Sequence, residues 1–373
     1  MQSGGSTCCI LNLAPLYRAP ILKLMDKELK CDFYIGDKVS TAIKLMNYNE
    51  LTGFIKILKN VSLFAEFYWQ QGSANIAFKP YKNFIITGDP NCISTWVFLI
   101  INRLLGKKVF LWSHGWYGRE GNLKKLIKKI FFGLGEKVLL YGNHARSLMI
   151  NAGFNPSKLI VIYNSLDYKT QIMIREKLTK CRCYSSHFGN DDPVVIFIGR
   201  LQKEKKLHLL IESQNLLAKE GINFNIVLIG DGNDEMNLKL LTSKYSLDNK
   251  IWFYGSCYDE NEIAYLIYNA ELTISPGNIG LTAIHSMTYG TPVLTHSNFK
   301  NHGPEFEAII PGKTGDFFEE DSMYSLIDKI KVWLSLPERK RRYIRENCFA
   351  VIETKYNPFL QISIFRKLVN GSI

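Results

Sequence analysis

Short apolar, β-branched runs alternate with amphipathic stretches along the whole of this chain, which is the pattern of parallel strands joined by crossover helices. In the first half the strand candidates are CCILNL (from Cys8), FYIG (from Phe33), FIITG (from Phe84), VFLWSHG (from Val109), VLLYGN (from Val138) and LIVIYNS (from Leu159). In the second half they are VVIFIGR (from Val194), NIVLIGDG (from Asn225), IWFYG (from Ile251), LTIS (from Leu272) and PVLTH (from Pro292). Two separate α/β units follow, as expected for 373 residues at ~150 per domain. A polar stretch of weak periodicity predicts a linker over 169–192 between units at 1–168 and 193–356. The last segment, 357–373, reads as an apolar-faced helix with Phe359, Ile362, Ile364 and Phe365, returning toward the first unit.

Charge is unevenly divided. Residues 1 to 170 hold 22 Lys+Arg against 10 Asp+Glu, whereas residues 171 to 373 hold 24 of each, so the formal charge of +12 belongs to the first half. A basic half beside a neutral one suits an anionic membrane surface, a polyanionic substrate or nucleic acid, and charge alone does not choose among them. Eight cysteines without a spaced framework point to a reducing compartment. The most apolar run, WVFLII, lies in an uncharged stretch from Pro90 to Asn102 whose thirteen residues fall short of the ~18 needed to span a bilayer. Any membrane contact is therefore expected from the surface. NLKKLIKKIFFGL (from Asn122) sets Leu123, Leu126, Ile127, Ile130, Phe131 and Leu134 at helical spacing opposite Lys124, Lys125, Lys128 and Lys129. That helix can pack its apolar face on the first unit, turn its lysines to anionic lipid, or do both.

In open parallel sheets ligands bind beyond the carboxyl ends of strands. There the chain places Ser113, His114 and Gly115; Gly199 and Arg200; and Pro276, Gly277, Asn278, Ile279 and Gly280. Arg200 at a strand tip and Lys205 near the following helix can converge on one anion, with a diphosphate the obvious candidate. The Gly-rich turn before the next helix leaves N–H groups at Leu281, Thr282 and Ala283 facing whatever anion sits there. The sequence Asp-x-Asp is absent, and Cys181, Cys183 and His187 lack a fourth metal ligand nearby, so no metal site is expected.

Taken together, G-R-L-x-x-x-K (Gly199 to Lys205), L-I-G-D-G (Leu228 to Gly232), F-Y-G with the acidic helix start that follows it, S-P-x-x-x-G-L, G-x-P-V (Gly290 to Val293) and GPEFEAIIPGKTGDFF resemble the nucleotide-sugar-binding domain of family 4 glycosyltransferases of the GT-B fold, the "glycosyl transferases group 1". LAPLYRAPILKLM, LWSHGWYGREG, LLYGNHAR and VIYNSLD resemble, less closely, the acceptor domain of members associated with bacterial surface-polysaccharide assembly.

The resemblance implies an α/β GT-B architecture, two Rossmann-like domains facing across a cleft, the acceptor domain first and the donor domain second. It implies a retaining, metal-independent transfer of one sugar from a nucleotide-diphosphate sugar to a lipid-linked or glycan acceptor, with no cofactor and no nucleic-acid partner. The enzyme would then work in the cytoplasm, peripheral on the inner face of the cytoplasmic membrane. His114, Arg200 and Lys205 take the catalytic positions, His114 beside the transferred sugar. Gly199, Tyr254, Gly255, Gly277, Asn278, Ile279, Gly280, Leu281, Thr282 and His285 take the donor-binding positions. Most members carry two glutamates eight positions apart, for the donor sugar and the ribose; here those positions hold Gly277 and His285. That departure keeps open a non-catalytic sugar-binding or assembly subunit of the same fold, and a nucleotide-sugar epimerase is the other alternative.

Overall fold

The structure is a computed structural model and describes residues 6–37 and 44–373. Its first nine strands are β1 (Thr7–Leu11), β2 (Asp32–Gly36), β3 (Phe54–Leu58), β4 (Asn60–Phe64), β5 (Phe67–Gln70), β6 (Asn83–Thr87), β7 (Lys108–Ser113), β8 (Lys137–Leu140) and β9 (Leu159–Val161). Between them lie α1 (Ala19–Leu29), α2 (Ile93–Leu104), α3 (Asn122–Leu134) and α4 (Asn143–Asn151). All strands but the β4–β5 hairpin join one parallel sheet in the order β3-β2-β1-β6-β7-β8-β9.

The chain continues through α5 (Tyr168–Arg175), α6 (Ser185–Phe188), β10 (Val194–Ile198), α7 (Leu207–Lys219), β11 (Asn225–Ile229), α8 (Glu235–Lys244) and β12 (Ile251–Gly255). It then forms α9 (Glu260–Asn269), β13 (Leu272–Ser275), α10 (Thr282–Thr288), β14 (Val293–His296), β15 (Gly315–Phe318), α11 (Met323–Leu334), α12 (Glu338–Thr354) and α13 (Pro358–Val369). The second sheet, also parallel, runs β12-β11-β10-β13-β14-β15, the doubly wound order of a dinucleotide-binding fold.

Two compact units result: one ends at Asp167 and regains Asn357–Ile373, and the other is Tyr168–Tyr356. Each expected strand exists. The expectation missed β3, β4, β5 and β15. β15 is four residues beginning with glycine, and β3 is an edge strand whose central residues face water, so neither carries the apolar run that marks a buried strand. In the first unit, α1 and α13 cover one sheet face with Leu22, Met25, Ile362 and Phe365, while α2, α3 and α4 cover the other with Phe98, Phe131, Phe132 and Met149. α13 starts where the Asn357 side chain accepts the Leu360 N–H and Pro358 fills the first helical position.

The stretch 169–192, read as a linker, is instead part of the second unit. Tyr184 donates to the Leu266 carbonyl at 2.7 Å, the His187 ring stacks on Trp252 at 3.8 Å, and Ile174, Leu178 and Phe188 pack against the core over α9. A few aromatic anchors in a polar context leave no periodic trace in sequence, yet each buries enough area to fix the backbone.

Candidate functional site

In the second unit the strand order reverses between β10 and β13, and a ligand crevice opens at such a switch point. The two strand ends there are tied together by Thr282, whose hydroxyl donates to the Ile198 carbonyl at 3.0 Å. The loop leaving β10 is laid down against its neighbours at backbone contact. A Cβ at Gly230 would stand 2.0 Å from the Gly199 carbonyl oxygen, and one at Gly277 would stand 1.9 Å from that of Glu204. No side chain fits at either position. Hydrogen bonds fix the same loop: Gly199 N–H to Ile229 O, Leu201 N–H to Asp231 O and Gly277 N–H to Lys205 O, at 3.0, 2.7 and 2.8 Å.

This threading delivers two cations. The Lys205 ammonium donates to Asn278 O at 2.8 Å and Asn278 Oδ1 at 2.6 Å, both neutral acceptors. Burial, then the nearby Arg200 cation, pushes the Lys205 pKa down to about 8, against a smaller opposing pull from Glu204. Arg200 itself stands exposed, and neither cation makes an ion pair among the described residues. Two uncompensated positive charges at one strand end attract an anion.

The turn after β13 is braced from behind. His302 accepts the Ile279 N–H at Nδ1 (3.1 Å), while its Nε2 donates to the His296 carbonyl at 2.8 Å. Burial lowers the His302 pKa to about 4, which keeps this neutral tautomer in place. The Ala283 N–H is spent on Gly280 O. The N–H groups left for a ligand thus narrow to Gly280, Leu281 and Thr282. Glu305, only 3% exposed, brings a carboxylate oxygen to 3.7 Å from a Cβ position on Gly280.

His285, one turn into α10, bonds through Nε2 to Glu260 at 2.9 Å. Burial opposes ionisation of Glu260, but hydrogen bonds from His285, Tyr289 and Gln171 outweigh it and hold its pKa at about 2. The position where the resemblance leads one to expect a glutamate therefore holds an imidazole tethered to a carboxylate from another helix.

The family model for Glycosyl transferases group 1 matches residues 185–348, the part of the chain that contains this geometry apart from Gln171. These residues form a glycosyl transferases group 1 domain. Alpha-D-kanosaminyltransferase of Streptomyces kanamyceticus is 25% identical over 227 residues, 59% of this chain and 56% of that protein. A Staphylococcus aureus capsular polysaccharide biosynthesis glycosyltransferase, CapM, is 24% identical over 47% of this chain and 48% of its own. The chain thus spans about half the length of these curated relatives. In fold the likeness covers both units: Anabaena HepE in complex with UDP superposes with TM-score 0.72 at 16% identity, over 98% of this chain and all of that one. The lipopolysaccharide outer core galactosyltransferase WaaB gives 0.70 at 16% identity over the same shares. The architecture is that of the GT-B glycosyltransferases.

Within residues 185–348 the positions expected to act in catalysis or donor binding divide. Arg200, Lys205, Gly280, Leu281 and Thr282 gather at the switch point. Gly199, Gly277, Asn278 and Ile279 hold the loop and the turn in place with backbone groups already bonded to protein. Tyr254 and Gly255 end β12, two strands from β10; the Tyr254 hydroxyl is bonded to Glu262 and the Gly255 carbonyl to the Gly230 N–H at 2.8 Å. Sequence reading missed Glu260, whose only trace was an acidic helix start.

In the first unit His114 follows β7, its ring 4.8 Å from Tyr141 and stacked on Tyr117 at 6.0 Å. Surrounding protein, then the Arg18 and Lys128 cations, lowers its pKa, a shift that the exposed face of the ring moderates, and the imidazole is neutral at pH 7. Glu120 braces this loop by accepting the Tyr117 and Gly118 N–H groups and pairing with Lys128 at 2.8 Å. Lys128 therefore belongs to the His114 loop and not to an outward lysine face. The apolar side of α3 departs from expectation too: only Phe131 and Phe132 are buried, while Leu123, Leu126 and Ile130 are 72%, 56% and 53% exposed. Ile100 and Leu104 of the neighbouring α2 are exposed as well, and Lys124, Lys125 and Lys129 flank the row. No helix among the described residues is long and apolar enough to cross a membrane.

Proposed function

We propose that this protein is a retaining, metal-independent glycosyltransferase that moves one sugar from a nucleotide-diphosphate sugar to a lipid-linked or polysaccharide acceptor in surface-polysaccharide (O-antigen or capsule) assembly. The observation that carries this reading is the convergence of Arg200 and Lys205, free of carboxylate partners among the described residues, on a switch point beside the open N–H groups of Gly280, Leu281 and Thr282. The difficult event in such a transfer is departure of the nucleotide diphosphate as negative charge builds on its leaving oxygen. Fixed cations and oriented N–H groups stabilise that charge without reorganising. His114 offers a sugar a neutral ring that both donates and accepts hydrogen bonds. His285, held by Glu260, takes the ribose. Relatives named for capsule and lipopolysaccharide synthesis support the product class, and a fold relative bound to UDP-glucose supports the donor class.

The first unit takes the acceptor and meets an anionic membrane on the inner leaflet through α3. An exposed apolar row edged by lysines suits that surface, because apolar insertion and charge attraction act together.

Incubation with a panel of UDP- and GDP-sugars and a lipid-linked acceptor extract tests the reading. Transfer with retained anomeric configuration, surviving excess EDTA, is expected. Isomerisation without an acceptor means an epimerase. Binding without turnover means a non-catalytic subunit, the second reading, which Gly277 and His285 in place of glutamates favour.

A further inference from the structure

Arg18 is a cation without a counter-ion among the described residues. It stands immediately before α1, its guanidinium 5.0 Å from the centre of the Trp112 ring and 5.7 Å from that of Tyr141. Its polar partners are phenols: it donates to the Tyr141 hydroxyl and is hydrogen-bonded to Tyr17. No carboxylate pairs with it among the described residues. Taking a guanidinium out of water this way is costly unless an anion completes the pairing.

Two further donors at this place lack an acceptor among the described residues. Arg18 Nε and Trp112 Nε1 are both buried with no hydrogen-bond partner among the described residues, and Trp112 is only 3% exposed. Orphaned buried donors are rare in proteins, and two in one cluster call for an acceptor from outside the chain. The surroundings favour a negative one: α1 opens here with no acidic residue in its first turn. The cluster also sits at the functional edge of the first sheet. Arg18 follows β1, Trp112 is near the end of β7, and Tyr141 follows β8 and touches His114 at 4.8 Å. Ligands of open parallel sheets bind along that edge.

We propose that Arg18, seated on Trp112 and Tyr141, anchors an anion site in the first unit that binds a phosphate or carboxylate group carried by the acceptor. The assignment of the anion to the acceptor rests on the proposed function; the anion site itself does not. A guanidinium forks onto either group with two parallel hydrogen bonds, and the Trp112 N–H can supply a third. The reaction would then select charged acceptors, either a sugar diphosphate or an acidic sugar.

The test uses the full chain carrying R200A and K205A, so that anions no longer report on the donor site, and titrates inorganic pyrophosphate and glucuronate by calorimetry. Saturable binding of at least one is expected, weakened about tenfold or more by Arg18→Gln. Tighter pyrophosphate identifies a phosphate-bearing acceptor, and tighter glucuronate an acidic sugar. Tyr141→Phe, which removes only a hydroxyl, should weaken binding by a few-fold while leaving the thermal midpoint near that of its parent, and it serves if Arg18→Gln does not fold. Absence of saturable binding, or binding unchanged in both variants, overturns the site. The two readings fail separately: a protein that transfers no sugar yet loses anion binding with Arg18→Gln keeps the site and loses the enzyme. One that transfers sugar at an acceptor KM indifferent to Arg18→Gln keeps the enzyme and loses the site's role.

Discussion

The carboxyl edges of the two sheets are built from different materials. In the second unit the edge is backbone against backbone: the loop from Gly199 to Lys205 lies on Gly230 and Gly277 so closely that a single Cβ would collide, and main-chain hydrogen bonds hold it. In the first unit the edge is side chain on side chain, with Arg18 over Trp112 and Tyr141, His114 against Tyr117, and Glu120 bracing the loop. Backbone contacts demand glycine at fixed spacings and so leave motifs. Side-chain clusters can be assembled from many residue types at many spacings, and the family model accordingly matches 185–348, within the second unit.

The largest expected effect tests whether charge at the second edge drives the chemistry. Arg200→Ala or Lys205→Ala should lower turnover by about two orders of magnitude or more, with circular dichroism unchanged. Near-normal turnover by both variants would reduce that edge to a scaffold. Membrane attachment tests the first unit in turn. Changing Lys124, Lys125 and Lys129 to Gln should remove ~1 kcal/mol of affinity for anionic vesicles per lysine at low salt, and Leu126→Ser with Ile130→Ser should weaken what survives at high salt. Sedimentation of both variants like wild type would assign the exposed row to another partner.

The contrast in glycine use makes a sharper comparison. Gly277→Ala forces the 204–205 backbone aside and should destabilise by about 1–3 kcal/mol and weaken nucleotide binding through Lys205. Gly133→Ala, on an exposed helix position of the first unit where a Cβ meets nothing, should stabilise by about 0.5–1 kcal/mol. Equal thermal shifts would remove the distinction. A pH titration reads the same loop from its charge. Because the Lys205 pKa is lowered from 10.5 to about 8, the free protein loses that cation as pH rises through 8. Affinity for a nucleoside diphosphate should therefore be full below pH 8 and fall by up to about tenfold per unit above it. Lys205→Arg, ionised throughout, should flatten the profile. The smallest effect concerns His285→Ala, which should cost about 0.5–1.5 kcal/mol in nucleotide affinity. Calorimetry showing no change would make His285 a support for Glu260 alone.

How much of this was readable in advance follows from the same contrast. The eleven expected strands, the Arg200–Lys205 pair and the turn at Gly280 were legible because apolar runs and glycine spacings are local properties of the chain. Gly277 looked like a vacant sugar contact, and only its distance to Glu204 showed that the position admits no side chain. Gly199, Asn278 and Ile279 looked like ligands' partners and are bonded to protein. The linker reading of 169–192 failed where Tyr184 and His187 reach residues some 65 to 80 positions away.

The sequence alone determined two doubly wound α/β units, the uneven charge and the spacing that brings Arg200 and Lys205 to one strand end, because hydrophobic period, composition and turn chemistry act over a few residues. Tertiary structure decided which of those groups remain available. It spent the Ile279 N–H on His302, tied His285 to Glu260, turned Leu123 and Leu126 of α3 outward and left the Arg18 Nε without an acceptor among the described residues. Those outcomes depend on partners distant in sequence, whose approach is set by how helices pack across a sheet, and no local pattern encodes that geometry.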